Sequence, residues 1–412
     1  MIPPLYSIHS VDSNDPGEDR NSVSISDGVF GWCVVDGHGG TNACEVVNEL
    51  LLATLLGQIK SLASLENHEE ILRIIDESFQ QIDQLVLDER KRALEDAQAK
   101  CKSFLGPERK DLFAICRPGC CVCVVIIVNE YIFAANTGDC RAFMCSKKTD
   151  EIIRQISFVT KDFLFDEMSS SGSIGSYKFE SDSFLSYNDE ILVNAITKDH
   201  CCTSEIEKSI ITATTKDPRP IVYRRVAGSL AITRAIGDGY LKTPELSFEP
   251  FSLYLPYISC RPTIKYRKLQ SEDQYIVLAS DGLFNFVTAK ECLDIVCSMQ
   301  KEERQVLKKR TLSKDADLSA RRRKSLRSHT SAESACCDSD EKNDDCSHEA
   351  VFEKESTSFA EMLIDKCLVN AAAKRNISVS DLRNLPQGRE KRDIVDDVTV
   401  ITIDVSCYAK KL

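Results

Sequence analysis

The stretch "VFGWCVVDGHGGTNACE", Val29 to Glu45, sets an acid, a histidine and three glycines at the end of an apolar run. Its β-branched and aromatic residues favour a strand. Immediately afterwards Cys44, Val47, Leu51 and Leu55 recur at helical spacing, and Asn42 and Glu45 stand as a helix-cap pair. Taken alone this is a strand-to-helix turn, because a single Asp-Gly after a strand is more often a turn than a site. Its meaning depends on what the rest of the chain places beside it.

Outward from this turn, "NHEEILRIIDESFQQIDQLVLDERKRALEDAQAK" (Asn67 to Lys100) predicts a second helix, with Ile71, Ile75, Phe79, Ile82 and Val86 on one face. "CCVCVVIIV" (Cys120 to Val128), a turn at Asn129-Glu130 and "YIFAANTGDCRAFM" (Tyr131 to Met144) read as a hairpin running into a third strand. The first of these is apolar on both faces, which places it between layers and not against water. Further helices are expected over about Ser204 to Thr214, Glu291 to Gln300 and Phe359 to Lys374, and strands at "QYIVLAS" (Gln274 to Ser280) and "VTVITIDV" (Val398 to Val405).

Composition narrows the function classes. The chain has 412 residues and a net charge of −12, which argues against a nucleic-acid binder. No apolar run reaches the length of a membrane span, and the opening residues lack a secretory or transit pattern, so the expectation is a cytoplasmic or nuclear protein. Nineteen cysteines raise the question of disulfides or zinc. Many lie inside apolar strands, and alternation sends Cys121 and Cys123 to the face opposite Cys120, so they read as small buried hydrophobes. Two spans interrupt the pattern. Residues 146–194 are irregular with a Ser/Gly-rich centre. Residues 301–356 carry a basic block, with Ser325 in "RRRKSLR", followed by an acidic one, the composition of a disordered insertion.

Four acids share one context. Asp36, Asp139 and Asp281 lie at the C-terminal ends of apolar strands, and Asp396 lies just before one. In an antiparallel sheet the end of one strand lies beside the start of its neighbour, so these acids can converge on one edge. Converging carboxylates repel unless a cation sits among them, and oxygen-only ligands favour Mg²⁺ or Mn²⁺ over zinc. Two such ions about 3.5–4 Å apart lower the pKa of a water between them and suit phosphate-ester hydrolysis. A glycine after Asp36 allows its own carbonyl to approach an ion, and Glu18 and Asp19 of "PGEDRN" are positioned to complete the shell.

With these residues in place, six blocks occur in the order of a known family: "EDRN", "VVDGHGG", "AANTGDCRA", "GSLAITRAIGD", "VLASDGLFN" and "DDVTVITI". The chain resembles the metal-dependent serine/threonine protein phosphatases of the protein phosphatase 2C type. It looks most like the branch containing pyruvate dehydrogenase phosphatase and plant phosphatases. The resemblance implies an α+β fold, a four-layer α-β-β-α sandwich of two antiparallel sheets flanked by helices. It also implies a single domain over 1–412 with the two insertions at about 146–194 and 301–356, acting as a monomer on phosphorylated proteins. By motif, Asp36 bridges two metals, the Gly37 carbonyl binds one, and Asp281, Asp396 and Glu18 hold them. Asp19 acts through water, and His38 is the general acid for the leaving Ser/Thr oxygen. Arg234 and Asp238 are expected to hold their own turn together, and Asp397 to support the start of its strand.

Two positions depart from the family's pattern. Asn14 stands where many members carry a phosphate-gripping arginine. An amide can still hydrogen-bond the substrate phosphate but supplies no charge, so phosphate binding should lean more on the metals. Asn285 replaces an acid that helps hold a third metal, leaving Asp139 as the remaining candidate for that ion. The expectation is two firm metal sites and an active enzyme. The alternatives are a pseudophosphatase scaffold and a phosphatase of small phosphoesters.

Overall fold

A computed structural model describes residues 4–26, 28–100, 108–149, 158–170, 184–187, 190–299, 301 and 358–406. The charged run expected to be an insertion, and the centre of the Ser/Gly-rich span, lie outside the described residues.

Among the described residues, fifteen strands follow in chain order: β1 (Leu5–Val11), β2 (Arg20–Ser26), β3 (Val29–His38), β4 (Gly119–Val128), β5 (Tyr131–Thr137), β6 (Arg141–Lys147), β7 (Val159–Lys161), β8 (Phe184–Tyr187), β9 (Ile191–Ala195), β10 (Ile221–Val222), β11 (Arg225–Val226), β12 (Ile236–Gly237), β13 (Thr263–Lys268), β14 (Asp273–Ala279) and β15 (Val398–Asp404). One sheet has the order β1-β15-β14-β6-β9-β8. A second runs β2-β3-β4-β5-β13-β7, with β12 also paired to β4, and β10 and β11 form a separate two-stranded hairpin. The ladders within both sheets are antiparallel, as the alternation of short strands and tight turns predicts.

β4 explains why the sheets stack. All ten of its residues are buried. Cys121, Cys123, Val125 and Ile127 point into a core shared with Met144, Ile276, Leu278, Ile401 and Ile403 of the facing sheet. Cys120, Val122, Val124, Ile126 and Val128 point the other way, onto α1 (Asn42–Lys60) and α2 (His68–Lys100). At about 1.5–3 kcal/mol per buried aliphatic side chain, a strand apolar on both faces is stable only between two such layers. The opposite outer layer is built on Phe143, Cys145, Val277 and Val400 by the helix of residues 289–299 and by α4 (Phe359–Arg375). The result is the four-layer sandwich that the resemblance implies.

Three local expectations change. Thr41, not Asn42, stands at the cap of α1 and makes no side-chain capping bond. β3 does not stop at Asp36 but pairs with β4 through Asp36, Gly37 and His38, opposite Cys121, Cys120 and Gly119. The span 146–194 is not wholly irregular, because β9 and β8 extend the first sheet beyond β6 and Phe163–Ser170 form a short helix after a buried Asp162. Five-residue strands beside polar loops carry too little periodicity to be read from sequence.

Fourteen cysteines among the described residues are free, and twelve of them are buried. Burial raises the Cys121 and Cys123 thiols well above their ordinary range and Cys33 to about 12. Thiols held this high stay protonated and unreactive, as their positions in the strands suggest.

Candidate metal centre

At one end of the sandwich, a cleft of about 180 Å³ opens between the two sheets. Asn14, Asp36, Gly37, His38, Asp139, Asp281 and Asp396 all line it. Asp36 comes from the end of β3, Asp139 from the turn after β5, Asp281 from just past β14, and Asp396 from just before β15. Four acids far apart in the chain therefore meet because antiparallel pairing stacks strand ends beside strand starts. Glu18 and Asp19 do not line the cleft but stand behind it.

The electrostatics of this group are unfavourable as it stands. Burial raises the Asp36 pKa well above the ordinary carboxylate range, and the neighbouring Asp19, Asp281, Asp139 and Asp396 push it further. Burial, then Asp139 and Asp396, lifts Asp281 to about 6. Asp19 is pushed to about 8 by burial, against a 2.7 Å hydrogen bond donated by the Ser280 hydroxyl. Carboxylates crowded in this way are stable as anions only with a cation among them. The donors are all oxygen, which suits a hard divalent ion. Gly37 adds to the fit. A Cβ there would come within 2.7 Å of the Glu18 carbonyl oxygen, so only glycine lets the two backbone segments approach this closely. The residues present thus fit a divalent metal.

A second layer fixes these acids. Asp397 accepts hydrogen bonds from the backbone N–H groups of Ser13 (2.6 Å), Asn14 (2.8 Å) and Glu18 (2.6 Å), which folds the Ser13–Glu18 loop around its carboxylate. These bonds outweigh the effect of burial and keep its pKa below the usual carboxylate value. The supporting role expected of Asp397 therefore extends to a loop nearly the whole chain away. Glu18 accepts from the Gly40 N–H at 2.8 Å. Asn14 is not turned toward an incoming phosphate, since its amide nitrogen donates to Asp396 (3.1 Å) and Asp397 (3.0 Å). Asn285 donates to Asp281 at 3.3 Å, where an acid would repel it. Cys121 Sγ donates to Asp139 at 3.1 Å.

His38 has a partner that sequence reasoning placed elsewhere. Its Nε2 lies 2.8 Å from Asp238 Oδ2. Burial pulls the imidazole pKa down, but Asp238, with Asp139 and Glu18 beyond it, carries it above the ordinary value. Asp238 is fully buried and holds a left-handed backbone conformation (φ 52°) that aims its carboxylate at the ring. Gly119 makes the contact possible, since a Cβ there would fall 2.2 Å from Asp238 Oδ2 and 2.7 Å from His38 Nε2. Asp238 therefore does more than hold its own turn. The one signal in the sequence was an acid directly after a glycine in "AIGD".

Among the described residues, a different trio also brings ligand-type atoms within 4.8 Å of one another: Asp162, His200 and Glu207. The Arg234 guanidinium already fills that space. It donates to Asp162 at 3.1 and 2.8 Å, to Glu207 at 3.0 and 2.7 Å, and to the Arg261 carbonyl at 3.2 Å. A cation is in place there, so this cluster is a buried ion-pair network and not a second metal site. Arg234 ties together two elements outside its own turn, the residue after β7 and α3 (Glu205–Thr214).

Comparison with known proteins agrees with the geometry. The protein phosphatase 2C family model matches residues 13–168 and 181–325. The chain belongs to the protein phosphatase 2C family. Its curated relatives include probable protein phosphatase 2C 40 of Arabidopsis thaliana, 22% identical over 94% of this chain and 65% of the relative. Probable protein phosphatase 2C 25 of Oryza sativa subsp. japonica is 25% identical over 71% of this chain and 64% of the relative. This protein phosphatase 2C chain thus spans somewhat less than two thirds of the length of those plant proteins. Among solved structures, serine-threonine phosphatase 2C from Toxoplasma gondii superposes with a TM-score of 0.54 at 13% identity, covering 98% of this chain and 97% of that one. That likeness shows the fold. Among the described residues, no helix is long and apolar enough to cross a membrane.

Proposed function

We propose that this chain is a metal-dependent phosphatase that hydrolyses phosphoserine and phosphothreonine in proteins. The observation that carries the reading is the convergence of Asp36, Asp139, Asp281 and Asp396 beside His38, close enough that, on top of burial, the other three raise the Asp36 pKa. Asp36, the Gly37 carbonyl, Asp281 and Asp396 are the residues that would hold two Mg²⁺ or Mn²⁺ ions, with Glu18 completing the set and Asp19 acting through water. Such a pair supplies an activated water and stabilises charge on the phosphoryl oxygens. Asp139 is offered as a further, accessory ligand for a third ion.

The chain's own residues do the rest. Asp397 holds the Ser13–Glu18 loop in register with Asp396. Against the effect of burial, Asp238 raises the His38 pKa, which favours the imidazolium. It also fixes the ring through Nε2, so that Nδ1 is the nitrogen free to give a proton to the departing Ser/Thr oxygen. At about 180 Å³ and open to solvent, the cleft is smaller than the pockets of about 300–1,000 Å³ that enclose small molecules. That supports a phosphorylated side chain reaching in from a protein surface.

We further propose a single domain over 1–412 with insertions at about 146–194 and 301–356. We propose a monomer, and the free buried thiols among the described residues support a reducing compartment, the cytoplasm or nucleus. The test is phosphopeptide hydrolysis with Mn²⁺ or Mg²⁺ by wild type and Asp281→Ala. Equal rates would end the enzyme reading.

A further inference from the structure

A phosphate monoester entering this cleft meets a wall of carboxylates, and the residue where an arginine was expected has no donor to offer it. Both Asn14 contacts point at Asp396 and Asp397. Two cationic side chains nevertheless line the cleft, Arg225 and Arg392. Arg225 sits on β11 and donates to the Ser229 carbonyl, in the turn that follows its strand, at 2.7 Å. Arg392 is differently placed. It ends α5 (Arg389–Arg392), its side chain is half exposed, and its Nε lies 4.0 Å from Asp396 Oδ1. That separation is a loose ion pair, longer than a hydrogen bond.

The mounting of α5 is firm. The Gly388 N–H donates to the Ser13 carbonyl at 2.7 Å, and buried Lys391 donates through Nζ to the Asp12 carbonyl at 2.9 Å. The Val395 N–H closes on the Lys391 carbonyl at 2.9 Å. The short helix is thus anchored to the loop that carries Asn14, and Arg392 stands over the same corner of the cleft. A guanidinium offers a planar fork of donors matched to phosphate oxygens, and a loose pair with Asp396 costs little to exchange for one.

We propose that Arg392 grips a non-bridging oxygen of the substrate's phosphate, supplying from α5 the positive charge that Asn14 lacks. The assignment rests on the phosphatase reading above, and its test separates the two. Inorganic phosphate, the product, carries the same chemistry and is the probe. Calorimetric titration of phosphate into the Mn²⁺-loaded full chain should show binding weakened about tenfold in Arg392→Ala. Arg392→Lys should recover part of that loss, since it keeps the charge without the fork. Arg389→Ala, on the same helix but not lining the cleft, should bind like wild type. In phosphopeptide assays, KM should rise in Arg392→Ala by more than kcat falls. A phosphate Kd for Arg392→Ala within about twofold of wild type overturns the proposal, as does no binding by wild type or equal weakening by Arg389→Ala. Failure of wild type to hydrolyse phosphopeptide would instead count against the phosphatase reading, while the phosphate Kd would still report on Arg392.

Discussion

His38 Nε2 and Asp238 Oδ2 lie 2.8 Å apart although 200 positions separate them in the chain. The pair joins the strand that carries the central acid to the turn after β12, and it raises the pKa of the imidazole. A general acid must be protonated to act, so activity should fall as pH rises through the His38 pKa. Asp238→Asn removes the carboxylate that opposes burial, so the fall should move to lower pH. Near pH 7.5, kcat on a phosphoserine peptide should drop about 10- to 100-fold, within the span of general-acid effects. An aryl phosphate, whose leaving group needs no proton, should lose far less. The check is a kcat–pH profile on both substrates, and an unmoved alkaline limb would refute the role of Asp238.

Asp281 shows how the metal-free site strains the fold. Burial and the carboxylates of Asp139 and Asp396 hold its pKa at about 6, above the unfolded value of 3.8. The folded state therefore binds more protons than the unfolded state between those values, and stability falls as pH rises from 3.8 to about 6 and stays lower above it. Asp281→Asn should relieve this, raising the melting temperature of the chelator-treated protein at pH 7.5 by about 2 °C or more. Addition of Mn²⁺ should stabilise the wild type through mass action and the variant much less. A variant that melts lower than wild type in chelator would contradict the crowding.

The readable parts of this site were those written locally. An Asp-Gly after an apolar strand can be found by eye, and three of the four cleft acids announce themselves that way or nearly so. β4, apolar on both faces, disclosed the stacked layers because alternation is a local property. What escaped was set by tertiary packing. Nothing near Asp238 indicates that Gly119 leaves room for its carboxylate against His38. Nothing near Asn14 shows that Asp396 and Asp397 already take its amide. The Arg234 clamp draws Asp162 from a span that reads as irregular, and Arg392 reaches the cleft only because Gly388 and Lys391 dock on the N-terminal loop.

The Arg234 network should behave as structure, not as a metal site. Arg234→Ala leaves Asp162 and Glu207 buried without a counter-charge, and loss of one partner of a buried ion pair costs about 3–5 kcal/mol. Denaturant midpoints in the presence of chelator will show this as a large drop for the variant. Wild type, with its guanidinium in place, should bind no metal at this cluster. Manganese stoichiometry should therefore be the same in wild type and in Glu207→Gln, and a lost equivalent in the latter would overturn the assignment.

His200 gives the fold a pH dependence of its own. Burial, with Arg234 close by, depresses its pKa well below 6.5. Its Nδ1 accepts from the Gly138 N–H at 3.2 Å, so the single proton sits on Nε2 and is donated to Thr263 Oγ1 at 2.8 Å. Thr263 in turn donates to Asp162 at 2.9 Å. A second proton on Nδ1 would face the Gly138 N–H, beside Asp139. Because the folded pKa lies below the unfolded one, this stabilisation is complete above about pH 6.5 and is lost as pH falls below it. The His200 contribution to wild-type stability should therefore decline between pH 7 and pH 5, against the opposite trend of Asp281. His200→Gln can keep a donor for Thr263 but places no acceptor at the Nδ1 position that Gly138 uses, so it should cost about 1–3 kcal/mol at pH 7.5. Since glutamine does not titrate, the gap to wild type should narrow toward pH 5. Parallel melting curves for the two proteins across that range would show that His200 is not the titrating group.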